Sequence, residues 1–190
     1  QRLKVAYALE RVSAGEKVTV AAHAAGYGSS QNLARAVKQR AGGSVSVQAA
    51  SLTIQNGGQI ASTAAGIGPG GDIAVTIAGA VNLAGVALDG SVSGITASAT
   101  PGSQGAAGQV TLTAGGALSL SGGAQISSAT AGSGNGGTLI VASGGPLTLS
   151  GAGSGIVALA SATASGNAGS VSVGAPQITL TSGAQIASTT

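Results

Sequence analysis

The feature that most constrains this chain is a repeat that returns in phase. Residues 42–63 read GGSVSVQAASLTIQNGGQIAST, and residues 168–189 read AGSVSVGAPQITLTSGAQIAST. Three further copies lie between them. Each copy holds three short stretches of alternating apolar residues, separated by turns of Gly, Ser and Asn. A unit this short cannot bury a core by itself. It becomes stable when neighbours stack on it and share one continuous interior.

Period-2 alternation sends every second residue inward. The first stretches are 44–47, 72–75, 109–112, 138–141 and 170–173. They predict an inward ladder of Val45/Val47, Ile73/Val75, Val110/Leu112, Leu139/Val141 and Val171/Val173. The second stretches predict Leu52/Ile54, Val81/Leu83, Leu118/Leu120, Leu147/Leu149 and Ile178/Leu180. In the third, an Ile precedes a small residue: Ile60/Ser62, Ile95/Ala97, Ile126/Ser128, Ile156/Ala158 and Ile186/Ser188. Five aliphatic positions and one small one per coil make a narrow interior without room for aromatic rings. The chain has no Phe and no Trp. The expected fold is all-β: a right-handed parallel β-helix, or β-solenoid, of about five three-strand coils, with a short helix or cap at the N-terminus. At about 4.8 Å per coil the rod is on the order of 24 Å long.

The coils are unequal. From Gly43 to Gly71 is 28 residues, to Gly108 a further 37, to Gly137 a further 29 and to Gly169 a further 32. The long coil carries extra residues at 84–93 and 100–107. Insertions in solenoids map to surface loops. The 84–93 loop holds Asp89 and is the first place to look for a contact site. Gly-rich pairs precede each first stretch, with Asn135 and Asn167 just before two of them, where left-handed backbone is expected to be cheap.

Residues 1–41 do not fit the repeat and are read as a basic head, a cap or a junction; residues 42–190 are the β-helix repeats. All seven cations lie in the head: Arg2, Lys4, Arg11, Lys17, Arg35, Lys38 and Arg40. The repeats carry only Asp72 and Asp89. The pI of 9.8 therefore describes the head, and no nucleic-acid partner is expected from it. Within the head, Leu3, Val5, Tyr7 and Leu9 alternate, as do Val18 and Val20, which predicts two short strands. Residues 30–41 predict an amphipathic helix. Ser30 is its N-cap, Leu33, Ala34 and Val37 share a face, Lys38 and Arg40 fill the last turn, and Gly42 follows as the stop. The chain begins at Gln1 and contains no Met, so it is read as a fragment or processed piece, continuing beyond Thr190.

Chemistry-bearing motifs are sparse. GxGxxG occurs at 66–71 and 132–137, but a dinucleotide site needs it to open a helix, and both copies lead into alternating strands. His23, the sole His, has no carboxylate pair near it, so it is poor metal chemistry and builds no triad, and it is read as a partly exposed structural His; the absence of Cys excludes disulfides and thiolate sites. Polysaccharide-active β-helices need clustered acids and bases, and calcium β-rolls need recurring Asp. Asp72 and Asp89 supply neither. The expectation is no enzyme activity, no catalytic, metal or cofactor-binding residues, and no cofactor. No apolar run approaches the roughly 18 residues of a membrane helix.

The order GGxVxVxAxxLxLxxGAQIxSxT, with GxGNGG or GNAG turns, resembles the repeats of filamentous-haemagglutinin-like exoproteins of bacterial two-partner secretion. The resemblance covers 42–190. It implies secretion or display at the cell surface in association with the outer membrane, an outer-membrane two-partner-secretion transporter as partner during export, and an adhesin-like role toward a host-cell, surface or carbohydrate receptor. On this reading the chain is a structural stalk. An ice-binding or other ligand-binding β-solenoid is the alternative; it wants a flat outward Thr array, and outward pairs such as Asp72/Ala74 and Gln109/Thr111 are mixed. A polysaccharide-active enzyme is a third reading.

Overall fold

The computed structural model describes residues 38–40 and 43–190. After the strand β1 (Lys38–Arg40) come five coils of three strands each. Coil 1 is β2 (Val45–Ala49), β3 (Leu52–Gln55) and β4 (Gln59–Ala64); coil 2 is β5 (Ile73–Ile77), β6 (Val81–Ala84) and β7 (Gly94–Ala99). Coil 3 is β8 (Val110–Ala114), β9 (Leu118–Ser121) and β10 (Gln125–Thr130). Coil 4 is β11 (Leu139–Ser143), β12 (Leu147–Ser150) and β13 (Gly155–Ala160). Coil 5 is β14 (Val171–Gly174), β15 (Ile178–Thr181) and β16 (Gln185–Thr189). Like strands of successive coils pair in parallel and build three walls, so the fold is an all-β parallel solenoid. The described residues contain no helix.

The ladders run in the expected register. Val45 faces Ile73, Ile73 faces Val110, and Leu139 joins Val110 to Val171. Leu52, Val81, Leu118, Leu147 and Ile178 stack in the second wall, and the isoleucines Ile60, Ile95, Ile126, Ile156 and Ile186 stack in the third. Coils 2 to 4 therefore bury their apolar side chains against identical or similar ones above and below, in one shared core. The first wall also holds one more inward position than the four-residue stretches implied. Ala49, Ile77, Ala114 and Ser143 stack there, and Ile77 is fully buried. Its signal was present in the alternation of Ile73, Val75 and Ile77.

The predicted helix over 30–41 is corrected where it can be seen. Lys38–Arg40 is a strand, paired in parallel with Ala61–Thr63 of β4. The edge of β4 presents a row of unpaired backbone groups, and pairing with that row outweighs the weak helical pattern of a short stretch. The rest of that stretch, the two predicted head strands and His23 lie outside the described residues.

Two kinds of glycine shape the corners, for different reasons. Between the second and third walls the chain turns through paired left-handed residues: Asn56 and Gly57 at φ 55° and 71°, Gly122 and Gly123 at 60° and 88°, Ser182 and Gly183 at 55° and 82°. Gly takes that conformation freely and Asn at small cost, and Ser182 takes it beside Gly183. The column Gly71, Gly108, Gly137 and Gly169, just before the first wall, has no positive φ. There a Cβ on each residue would run into the carbonyl oxygen of the glycine one coil earlier, starting with Gly43. This column is glycine because backbones of adjacent coils pass in contact. Asn135 and Asn167 beside it are not left-handed either. Instead the Asn135 Oδ1 accepts a hydrogen bond from the Asn167 N–H at 3.0 Å.

Candidate functional site

The corner between the second and third walls departs most from a plain repeat. In coils 1, 3 and 5 the residue before the ladder isoleucine is Gln59, Gln125 or Gln185; in coils 2 and 4 it is Gly94 or Gly155, preceded by Ser93 or Ser154. The two kinds interlock. Gly57 N–H donates to Ser93 Oγ at 2.9 Å, and Gln59 Nε2 donates to the Val92 carbonyl at 3.0 Å. Two coils on, Gly123 N–H donates to Ser154 Oγ at 2.9 Å, and Gln125 Nε2 donates to the Gly153 carbonyl at 3.0 Å. Ser154 Oγ in turn donates to the Ser150 carbonyl at 2.7 Å. Both serines are buried. A buried N–H left without a partner costs about 1–3 kcal/mol, so these hydroxyls fasten the left-handed turns of one coil to the next. A Cβ at position 94 would meet the Gln125 carbonyl, which is why the glutamine position becomes glycine in coil 2. Sequence reading alone had not singled out these residues. Their signal was the alternation of Ser-Gly-Ile with Ala-Gln-Ile or Gly-Gln-Ile.

In coil 2 this corner grows into a hairpin. Val86 and Val92 form an antiparallel bridge, Ala87 N–H donates to Ser91 O at 2.8 Å, and Gly90 N–H donates to Ala87 O at 2.9 Å. Asp89 Oδ1 accepts from Ser91 N–H at 2.9 Å and fastens the tip. The base is held by Gly85 N–H on Ser121 O at 3.0 Å and Ser93 N–H on Gly85 O at 3.1 Å. The hairpin lies close over Gly57, where a Cβ would meet Ala87 Cβ at 2.7 Å, and over Gly123, where it would meet Val86 Cγ2 at 2.8 Å. At the tip Leu88 is wholly exposed, and Val86 is half-exposed. The expected insertion at 84–93 is thus a fastened protrusion carrying an apolar side chain.

The two acidic residues of the repeats do structural work on different corners. Asp72 opens β5, where its Oδ1 accepts a hydrogen bond from Gln109 N–H at 2.8 Å, tying coil 2 to coil 3. Asp89 lies between β6 and β7 in the hairpin. Both GxGxxG stretches lead into first-wall strands, β5 and β11. Among the described residues no three His, Cys, Asp or Glu side chains gather as a metal site.

The outward columns differ from wall to wall. The centre of the second wall reads Thr53, Asn82, Ser119, Thr148 and Thr179; the first reads Ser46, Ala74, Thr111, Ile140 and Ser172; the third reads Ala61, Thr96, Ser127, Val157 and Ala187, of which Ala61, Ser127 and Val157 are buried. None is a uniform threonine array. Short polar contacts link neighbours along the third wall, as between Ser127 Oγ and Thr96 Oγ1 at 3.3 Å.

Compared with known proteins, the chain matches no family model, no curated protein and no solved structure. What fold and surface define is a class, the β-solenoid repeat protein.

Proposed function

We propose that the chain is a stretch of structural stalk in a large secreted or cell-surface, adhesin-like exoprotein of the filamentous-haemagglutinin type. The observation that carries the reading is the contrast between the two faces of each wall. The inward ladders keep one register through all five coils, while the outward columns drift among Ser, Thr, Ala, Asn and Ile. A chain whose constant part is its interior is built for length and stiffness, and the resemblance of residues 42–190 to exoprotein repeats supplies the setting. On this reading the chain leaves the cell through an outer-membrane two-partner-secretion transporter. It works by holding a receptor-binding region away from the surface, without turnover and without nucleic acid. Antibodies raised against the folded repeats test the proposal on intact cells of the source organism. Labelling at the surface that disappears when the transporter gene is deleted is the expected result. Antigen confined to the cytosol in both strains would sink it.

A further inference from the structure

The corner between the second and third walls has one length in most coils and another in coil 2. Three residues join the two strands in coils 1, 3 and 5 (56–58, 122–124 and 182–184), four in coil 4 (151–154) and nine in coil 2 (85–93). The long corner reaches both of its neighbours. Toward coil 1, a Cβ on Gly57 would meet Ala87 Cβ at 2.7 Å and Ser91 Cβ at 3.0 Å, so both side chains lie on the left-handed Asn56–Gly57 turn. Toward coil 3, a Cβ on Gly123 would meet Val86 Cγ2 at 2.8 Å, so Val86 lies on the left-handed Gly122–Gly123 turn.

The hydrogen bonds of this corner are shared with the short one. Gly57 to Ser93 and Gln59 to Val92 have their counterparts in Gly123 to Ser154 and Gln125 to Gly153. The covering side chains belong to the hairpin alone: coil 4 sets only the backbone of Gly153 against Gly123, where a Cβ on Gly153 would lie 3.6 Å from Gly123 Cα. The hairpin is also closed on itself, by the Val86–Val92 bridge, by Ala87 N–H on Ser91 O and by Ser91 N–H on Asp89 Oδ1. A closed hairpin moves as one piece, so it leaves the turns of coil 1 and coil 3 together.

We propose that the hairpin is a clasp that makes coils 1, 2 and 3 open as one unit. In a stack whose coils touch only their neighbours, an outer coil otherwise opens by itself. Among the described residues coil 1 meets no coil other than coil 2, whereas coil 3 is also tied to coil 4 through Ser154 and Gln125. Coil 1 is therefore the part that the clasp retains. This does not rest on the stalk reading and holds or fails without it.

Replacing residues 85–93 by Gly-Ala-Gly-Ser, the sequence of 151–154, removes the clasp and keeps a corner that this fold already uses. Native-state hydrogen exchange of the full chain, followed over a series of denaturant concentrations, reads the opening of each strand. In the wild type the slowest amides of β3, β6 and β9 merge into one opening. In the shortened chain β3 separates from β9 and exchanges about ten-fold faster, the size expected for losing the contacts of one or two covered methyl groups, while β12 is unchanged. Val86→Ala combined with Ala87→Gly keeps the hairpin, removes its cover and shifts β3 in the same direction. Leu88→Ser, at the exposed tip, leaves the merged opening as it is in the wild type. A wild-type chain in which β3 already opens apart from β9 overturns the proposal. So does a shortened chain in which the two still merge, or one in which β12 accelerates as much as β3.

Discussion

Leu120→Ala, at the centre of the rod, measures how the ladders hold the coils together. Leu120 is fully buried between Leu83 of coil 2 and Leu149 of coil 4. The substitution removes three carbons, about 2.4 kcal/mol of transfer free energy at about 0.8 kcal/mol per methylene. The neighbours above and below are fixed by their own backbone ladders and cannot close in. The cavity term therefore stands nearly in full and brings the loss to about 3–4 kcal/mol. Leu180→Ala is the same chemical change in coil 5. That side chain is already 41% exposed, so about half the transfer term is lost and no closed cavity is left, for a cost of about 1 kcal/mol. Urea unfolding followed by far-UV circular dichroism reads both. Equal losses at the two sites, or a Leu120→Ala loss below about 1.5 kcal/mol, would refute the nearest-neighbour picture of coil stability.

Gly137→Ala places a Cβ against the Gly108 carbonyl, a backbone atom that has nowhere to go, so the variant is expected to lose about 3 kcal/mol or more, or to accumulate unfolded. Thermal melts of the variant against the wild type check it. Ser128→Ala removes the acceptor of the Gly137 N–H, which is bound at 2.7 Å, and is expected to cost about 1–3 kcal/mol. Ser62→Ala, at the same ladder position two coils earlier, is expected to be neutral or slightly stabilising, because that buried hydroxyl makes no hydrogen bond among the described residues. A denaturation midpoint that falls for both serines alike would contradict the distinction. Leu88→Ser at the hairpin tip is expected to leave stability within about 0.5 kcal/mol of wild type, since the side chain packs on nothing; a larger drop in the urea midpoint would mean that the tip is part of the fold.

Much of this fold was legible because its rule is local. Alternation of Val45, Val47, Leu52 and Ile54 with small polar residues decides which side chains face in, and five copies of one pattern decide which residues stack. Register follows, because a slip by one residue would turn every ladder inside out. The absence of aromatic residues from the repeats agrees with the narrow interior. These are consequences of period 2, readable along one strand; the left-handed backbone expected at Asn135 and Asn167 lies instead at 56–57, 122–123 and 182–183.

What only the tertiary structure decided lies between coils. Lys38–Arg40 took a strand because β4 had an open edge, which no pattern within those three residues records. Gly71, Gly108, Gly137 and Gly169 are required by carbonyls one coil away, so the local reading assigned glycine the right place and the wrong reason. The pairing of Gln59 with Val92, and of Gly57 with Ser93, links residues 33 and 36 positions apart in the chain. The extra residues at 84–93 became a fastened hairpin through contacts with coils 1 and 3. Each of these depends on the backbone of one coil meeting the backbone of another, and that distance exists only once the coils are stacked.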